Sequence, residues 1–552
     1  MREELTETIK SVCDELFGVE AEVVLTRPDE QFGDYATNVA MQLAKKLGKN
    51  PREVAQAIVD KLAMDASVAG PGFINIRVSD AKIFAASLQS TTLPKPLEDK
   101  VVVAEYSDPN AFKVLHGGHL YTSLVGDAIA NIVDAAGATV HRVNFGGDVG
   151  LHVAKTMWAI IQELGGEFPQ KLTDIPDKQK LEWVSARYVV GNNAYDEDET
   201  AKTRITEYNK RVYAIHSEQD KESPFAQIYW LCRKWSYEGF DVLYERLGMH
   251  PFEKYYPESS VFDIGLQTVK EHIGPVYVES DGAVVFRGEP YGLFTQVFIN
   301  SEGLPTYAGK DVGLIQAKYR DYAFDISFMI TDVSQKDHIA VVLKSIEQFK
   351  PELAQKTVHY THGRIKLAGG EKMSSRKGNI LRADDIINAS FKAAKMMSGK
   401  DDPAIVLGAI RYSFLRSRVG GDIVYVPTES VSMDGNSGPY LQYALVRARS
   451  ILRSTVDVSL IKEVIVLDES ERSLARKIGM YPEAFAAALA DYSPHHICNY
   501  LYELAVIFNR FYEQSRVIDH ERSAERVALV RSYEQTLSHG LSLLGMPQPE
   551  QM

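Results

Sequence analysis

Residues 101–119 read Val-Val-Val-Ala-Glu-Tyr-Ser-Asp-Pro-Asn-Ala-Phe-Lys-Val-Leu-His-Gly-Gly-His, and most of the fold follows from them. Val101–Ala104 is a continuous apolar run of the kind that suits a parallel strand buried on both faces. After a polar loop a helix begins near His119, with Leu120, Leu124, Ala128 and Ile132 on one face. Ala138–Phe145 reads as the next strand. Strand, helix and strand at that spacing form a βαβ unit and point to a nucleotide-binding α/β layer. Ile326–Ile330 and Val358–Tyr360 supply further strand candidates.

Working outward, the N-terminal block has Leu5, Ile9, Val12 and Leu16 at helical spacing, helical patterns over 36–47 and 52–63, and an alternating strand from Gly72 to Val78. The linker-like Thr91-Thr92-Leu93-Pro94-Lys95-Pro96 closes it. The polar, helix-patterned stretch at about 163–237 reads as an insertion, with a second insertion at about 259–305. From about 400 onward helical periodicity dominates, with Leu441, Leu445 and Ala448 on one face and Leu501, Leu504 and Phe508 on another. The expected architecture is multi-domain α/β. It comprises an N-terminal α+β domain (1–98), a Rossmann-like domain with insertions (99–398) and a C-terminal all-α helical bundle (399–552).

Composition narrows the class. The 552 residues are 45% hydrophobic and 24% charged, as in soluble globular proteins. No apolar stretch is long enough to span a bilayer, so no membrane partner is expected. The charged start Met1-Arg2-Glu3-Glu4 is unlike a signal peptide, and a cytoplasmic protein is expected. Cys13, Cys232 and Cys498 are scattered and form no CxxC pair, so neither a disulfide framework nor a thiolate metal site is expected. The net charge of −13 argues against indiscriminate nucleic-acid binding but permits a selective RNA partner.

Two stretches carry chemistry. His116-Gly117-Gly118-His119 sets two imidazoles beside the free N–H groups of a helix start, a cradle for phosphate oxygens. Alone, it is equally open to reading as a metal pair or as surface histidines. Glu371-Lys372-Met373-Ser374-Ser375-Arg376-Lys377-Gly378 is a basic loop able to close over polyphosphate. Alone, it reads as a solvated basic turn.

In this order, at the two ends of one α/β block, the pair resembles the HIGH and KMSKS signatures of class I aminoacyl-tRNA synthetases. The flanking Glu105-Tyr106-Ser107-Asp108-Pro109-Asn110, Arg142-Val143-Asn144-Phe145-Gly146-Gly147-Asp148, Tyr307-Ala308-Gly309-Lys310-Asp311, Gln335 with His338, Gly435–Ala444 and the terminal Met552 resemble the arginyl branch over essentially the whole length. That resemblance implies an arginine–tRNA ligase using L-arginine, ATP with Mg2+ and tRNA(Arg), acting as a monomer without a structural metal. It implies arginine binding by Glu105, Ser107, Asn110, Tyr307, Asp311 and Gln335, consistent with the match between a guanidinium fork and carboxylates. It assigns catalysis to Lys113, His116, His119, Lys372 and Lys377, and ATP contacts to His116, Gly118, His119, Met373, Ser374 and Ser375. Transfer RNA contacts fall to the N-terminal domain at the elbow and to the helical domain at the anticodon, with Tyr440, Tyr443, Arg447 and Met552 as candidates.

Several positions depart from the family pattern. Gly117 stands where valine or isoleucine is usual, Val149 where tryptophan is common, Lys310 in place of arginine, and Ser375 where the second KMSKS lysine would be. Lys113 fills the position thought to supply that missing charge. A cysteinyl enzyme would need a cysteine cluster and a glutamyl enzyme a cationic pocket, and the chain has neither. A small-molecule nucleotidylyltransferase and a catalytically silent RNA-binding paralogue are the remaining rivals.

Overall fold

A computed structural model describes residues 1–368, 381–454 and 466–552. The chain packs as two compact units. One comprises Pro94–Tyr443, Phe485–Asn499 and Gly540–Met552; the other comprises Met1–Leu93, Ala444–Ala484 and Tyr500–His539.

At the centre of the larger unit is a parallel sheet of β1 (Val101–Glu105), β2 (Thr139–Gly146), β3 (Lys254–Pro257), β4 (Ile326–Asp332) and β5 (Thr357–His362), in the order β5-β4-β1-β2-β3. β1 is the middle strand, and its Val102, Val103 and Ala104 are fully buried, as a strand covered on both faces requires. The helix α1 (Gly117–Ala135) follows it and is buried almost all round, which is why its apolar pattern extends beyond one stripe. In open parallel sheets ligands sit outside the carboxyl ends of the strands. Glu105, Gly146, Asp332 and His362 are the last residues of β1, β2, β4 and β5.

The first expected insertion is helical, with Lys180–Glu197, Glu199–Ser217 and Pro224–Arg246 packed around Val184, Ile205, Tyr229 and Trp235. Within the second lie most of the helix Glu258–Glu271 and an antiparallel three-stranded sheet of Val278–Ser280, Ala283–Phe286 and Gln296–Ile299. The next helix, α2 (Tyr307–Tyr322), carries site residues.

The smaller unit holds an antiparallel sheet in the order Leu25–Thr26, Tyr35–Thr37, Phe73–Arg77, Asp65–Ala69. The alternating strand expected from Gly72 to Val78 forms over Phe73–Arg77, with Ile74 and Ile76 buried. The helix expected from Ala36 begins at Val39, because Ala36 and Thr37 pair with Asn75 and Ile74; strand pairing overrides the local helical pattern. Buried Asp34 accepts from Arg472 at 2.7 Å, Arg476 at 3.1 Å and the Val78 N–H at 2.7 Å, so helical residues beyond 467 share this unit with the N-terminal sheet. All three cysteines are buried and free. Among the described residues no helix is long and apolar enough to cross a membrane.

One buried ion pair ties distant parts of the larger unit together. Arg411, fully buried, donates to Asp127 of α1 at 2.9 Å and to the carbonyls of Leu247, Gly248 and Leu544. Asp127→Ala leaves that guanidinium buried without its counter-charge. The expected cost is about 3–5 kcal/mol, read as an earlier unfolding midpoint in urea.

Candidate active site

A cavity of about 500 Å³ opens at the carboxyl ends of the sheet. It brings together Glu105, Ser107, Asn110, His116, Gly118, His119, Tyr307, Asp311 and Gln335, every sequence-identified arginine-binding residue and both histidines. Lys113 does not line it; its ammonium lies 4.0 Å above the Tyr188 ring. Lys372, Met373, Ser374, Ser375 and Lys377 fall outside the described residues.

The two histidines cap α1 reciprocally. His116 is the N-cap, and its Nδ1 accepts from the N–H of Gly118 at 3.0 Å and of His119 at 3.4 Å. His119 Nδ1 accepts from the His116 N–H at 3.3 Å. This is a capping box built from imidazoles in place of hydroxyl and carboxylate. With both Nδ1 atoms accepting, each neutral ring carries its proton on Nε2. The rings stack with centroids 3.8 Å apart. Burial, and then the positive charge of Lys113, lower His116 to about 4. Burial, His116 and Lys113 lower His119 as well. Both are therefore neutral N–H donors at physiological pH.

Gly118 makes the cap possible, since a Cβ there would lie 2.8 Å from His116 Cε1. At Gly117 a Cβ would meet Ile386 Cδ1 at 3.2 Å, with Ile365 and Leu381 methyls beyond, so neighbouring aliphatic groups occupy the space of the missing side chain. The entry to α1 is also held from outside: Gly117 N–H donates to Leu381 O at 2.8 Å and Ala383 N–H to Leu115 O at 3.0 Å. Residues just after the basic loop thus clamp the histidine turn. Val149 is fully buried in the apolar cluster with Ala111, Phe112 and Val153.

The acidic side of the cavity is more elaborate than the sequence indicates. Glu105 and Lys318 of α2 form a buried ion pair. Asp311 Oδ2 accepts from His338 Nε2 at 2.6 Å, and His338 Nδ1 faces the Gln296 amide nitrogen at 2.5 Å. Lys310 pairs with Glu258 at 2.5 Å, so this departure from the family arginine serves a buried ion pair. Asp108 accepts from the Phe145 N–H at 2.8 Å; burial and the nearby Glu105 raise its carboxyl well above the ordinary range. Ser107 and Asp108 both have positive φ, at 77° and 49°, local strain of the sort that collects at functional sites. The Ser107 hydroxyl is fixed by Tyr244 at 2.7 Å and Ser123 at 2.8 Å. Asn110 fits because Gly147 faces it: a Cβ there would lie 2.1 Å from Asn110 Oδ1. Tyr307 stands at the mouth, 59% exposed, four residues before Asp311 on the same helix.

Sequence reasoning missed Lys318, Glu258 and the cavity role of Asp108. Lys318 carries a readable signal, since seven residues after Asp311 is two helical turns on the same face.

With this geometry in view, comparison with known proteins is decisive. The model described as tRNA synthetases class I (R), catalytic domain, matches residues 82–419, more than half of the chain. The chain belongs to the class I arginyl-tRNA synthetase family. The arginyl tRNA synthetase N terminal domain model matches 1–78 and the DALR anticodon binding domain model 441–552. An arginine–tRNA ligase of Bacteroides fragilis (strain YCH46) is 28% identical, with all of both chains covered. Another, of Bdellovibrio bacteriovorus, is 29% identical over 95% of this chain and 93% of its own. The Thermus thermophilus arginyl-tRNA synthetase structure superposes with TM-score 0.81 at 26% identity, covering both chains completely. The Plasmodium falciparum arginyl-tRNA synthetase, at 20% identity and TM-score 0.80, shares the fold.

In the helical C-terminal region Tyr443 is 45% exposed and Tyr440 partly buried. Arg447 lies 4.1 Å over the Tyr512 ring and donates to Asn509 at 3.3 Å. Met552 is partly buried.

Gly118→Ala forces the His116 ring out of its cap. A misplacement of about 1 Å in an active site costs about 10²-fold in rate, so arginine-dependent exchange of pyrophosphate into ATP should fall by about that factor with the melting temperature little changed.

Proposed function

We propose that the chain is an arginine–tRNA ligase that activates L-arginine with ATP and transfers it to the terminal adenosine of tRNA(Arg). The carrying observation is that Glu105 and Asp311 line the same cavity as the neutral His116 and His119. Carboxylates suit a guanidinium fork, while imidazole N–H groups at a helix start suit phosphate oxygens.

In this reading Asp311 and Glu105 hold the guanidinium and Tyr307 covers it at the mouth. Asn110 and Gln335 take the α-amino and α-carboxylate groups, and Ser107 keeps the loop in shape. An arginine carboxylate oxygen attacks the α-phosphorus of ATP, the bond to the bridging oxygen breaks, and pyrophosphate leaves with the electron pair. No protein nucleophile takes part, so catalysis is positioning plus stabilisation of phosphate charge. His116 and His119 donate Nε2–H to phosphate oxygens, with Gly118 allowing close approach. Lys113, Lys372 and Lys377 neutralise the polyphosphate, and Met373, Ser374 and Ser375 line the nucleotide. The 2′-hydroxyl of the terminal adenosine then attacks the activated carbonyl and releases AMP.

Among the described residues no group of three His, Cys, Asp or Glu forms a metal cage. Magnesium enters this reading as part of the MgATP substrate. Residues 1–98 meet the tRNA elbow and 399–552 the anticodon, where Tyr440 and Tyr443 stack bases and Arg447 and Met552 lie alongside. The protein works as a cytoplasmic monomer.

The direct test is pyrophosphate exchange with each amino acid, with and without tRNA. Arginine alone should support it, and Asp311→Ala should abolish it; exchange with another amino acid, or undiminished exchange in Asp311→Ala, contradicts the reading. The pH profile is a second test. Burial, then Lys155, lower Lys113 to about 8, so its cation is present below that pH and lost above it. In the free enzyme kcat/KM for MgATP should decline above about pH 8, and Lys113→Arg, which stays charged, should remove the decline. An unchanged alkaline limb in Lys113→Arg assigns the decline to another group.

A further inference from the structure

Two carboxylates and a buried lysine sit where one cation is to bind. Glu105 is 2% exposed and Lys318 fully buried; they pair directly, and no other hydrogen-bonding partner of the Lys318 ammonium is present among the described residues. Asp311, on the same helix two turns earlier, lines the cavity with Glu105, and its Oδ2 is held by His338. The charged groups that face Glu105 are Lys318, Asp311 and Asp108; burial and Glu105 push the Asp108 carboxyl upward, towards its neutral form, and His338 lines the same cavity against Asp311.

Like charges in a site of low polarity do not both stay ionised. One takes a proton, and that neutral carboxyl accepts poorly from a guanidinium fork until the ligand displaces the proton. A guanidinium carries a single charge and does not compensate two buried carboxylates. With Lys318 present, the trio of Glu105, Asp311 and Lys318 carries one net negative charge, which matches one guanidinium. Burial pushes Glu105 upward and Lys318 opposes that push, in keeping with this role.

We infer that Lys318 is a positioning residue that sets the charge of the arginine subsite, holding Glu105 ionised and oriented so that the paired carboxylates present a single net charge to the guanidinium. It does not touch the substrate; it acts through Glu105. The inference rests on the arginine reading above and adds to it a specificity device outside the binding residues.

The test measures KM and kcat for arginine in tRNA charging between pH 6 and 9, in the full-length wild type and in Lys318→Met, Glu105→Gln and the double variant. Lys318→Met should raise KM for arginine about tenfold or more at pH 6.5. The increase should shrink as pH rises and the proton that Glu105 takes up without Lys318 leaves, while kcat changes little. Glu105→Gln leaves an uncompensated cation beside the subsite and should raise KM at every pH. Adding Lys318→Met to it removes that cation and should lower KM again, an opposite-sign coupling that a packing role would not produce. The inference is overturned if Lys318→Met raises KM equally at all pH values or not at all, or if the double variant is no better than Glu105→Gln. Should Lys318→Met fail to fold, the comparison of Glu105→Gln with the double variant decides alone. Wild type that charges tRNA with arginine while the couplings are absent sinks only this inference; wild type that charges none sinks the arginine reading itself.

Discussion

The reciprocal hydrogen bonds between His116 and His119 govern the rest of the site. Each Nδ1 satisfies a backbone N–H that the first turn of α1 leaves without a partner, so both rings are fixed in orientation and in tautomer. The cap starts the helix that packs behind the central strand, and the same rings offer Nε2–H to the cavity. Each ring thus has one nitrogen for the cap and the other for the cavity. Gly118, small enough to let the His116 ring lie against the backbone, is the constraint that makes this possible. The clamp from Leu381 and Ala383 then ties the turn to a stretch of chain more than 250 residues further on.

Electrostatics explains why so many charges are buried around one small cavity. Glu105 with Lys318, Glu258 with Lys310, and Asp311 with His338 are each partnered. Burying a lone charge is prohibitive, whereas a partnered carboxylate can wait, desolvated, for a cationic substrate. Parallel topology brings these groups together: β1 delivers Glu105 at its carboxyl end, and α2, leading into the neighbouring β4, delivers Asp311 and Lys318 on one face.

Much of this was legible in the residues themselves. The run Val101–Ala104 and the two histidines located the central strand and the helix start, and the strands near 139, 326 and 357 emerged at the expected places. Glu105, Asn110, Tyr307, Asp311 and Gln335 were identified by their motifs and line one cavity. What sequence did not disclose is partnership across long separations. Lys318 looks like any helical lysine until Glu105, 213 residues away, is found against it. Arg472 and Arg476 resemble surface cations until Asp34 meets both. The strand at Tyr35–Thr37 was hidden because three residues hold too little pattern to compete with the helix that follows. Gly117 stands where the family usually carries valine or isoleucine, and only packing shows Ile386 beside the space of the missing side chain.

The account depends on a cavity built for a cation of guanidinium shape. Calorimetric titration of the wild-type protein with arginine and with citrulline, in the presence of tRNA(Arg) and a non-hydrolysable ATP analogue, tests this most directly, because the two ligands differ in shape by almost nothing and in charge by one. Arginine should bind at least about 10²-fold more tightly, since citrulline leaves the one net negative charge of Glu105, Asp311 and Lys318 uncompensated. Equal affinities would contradict the account.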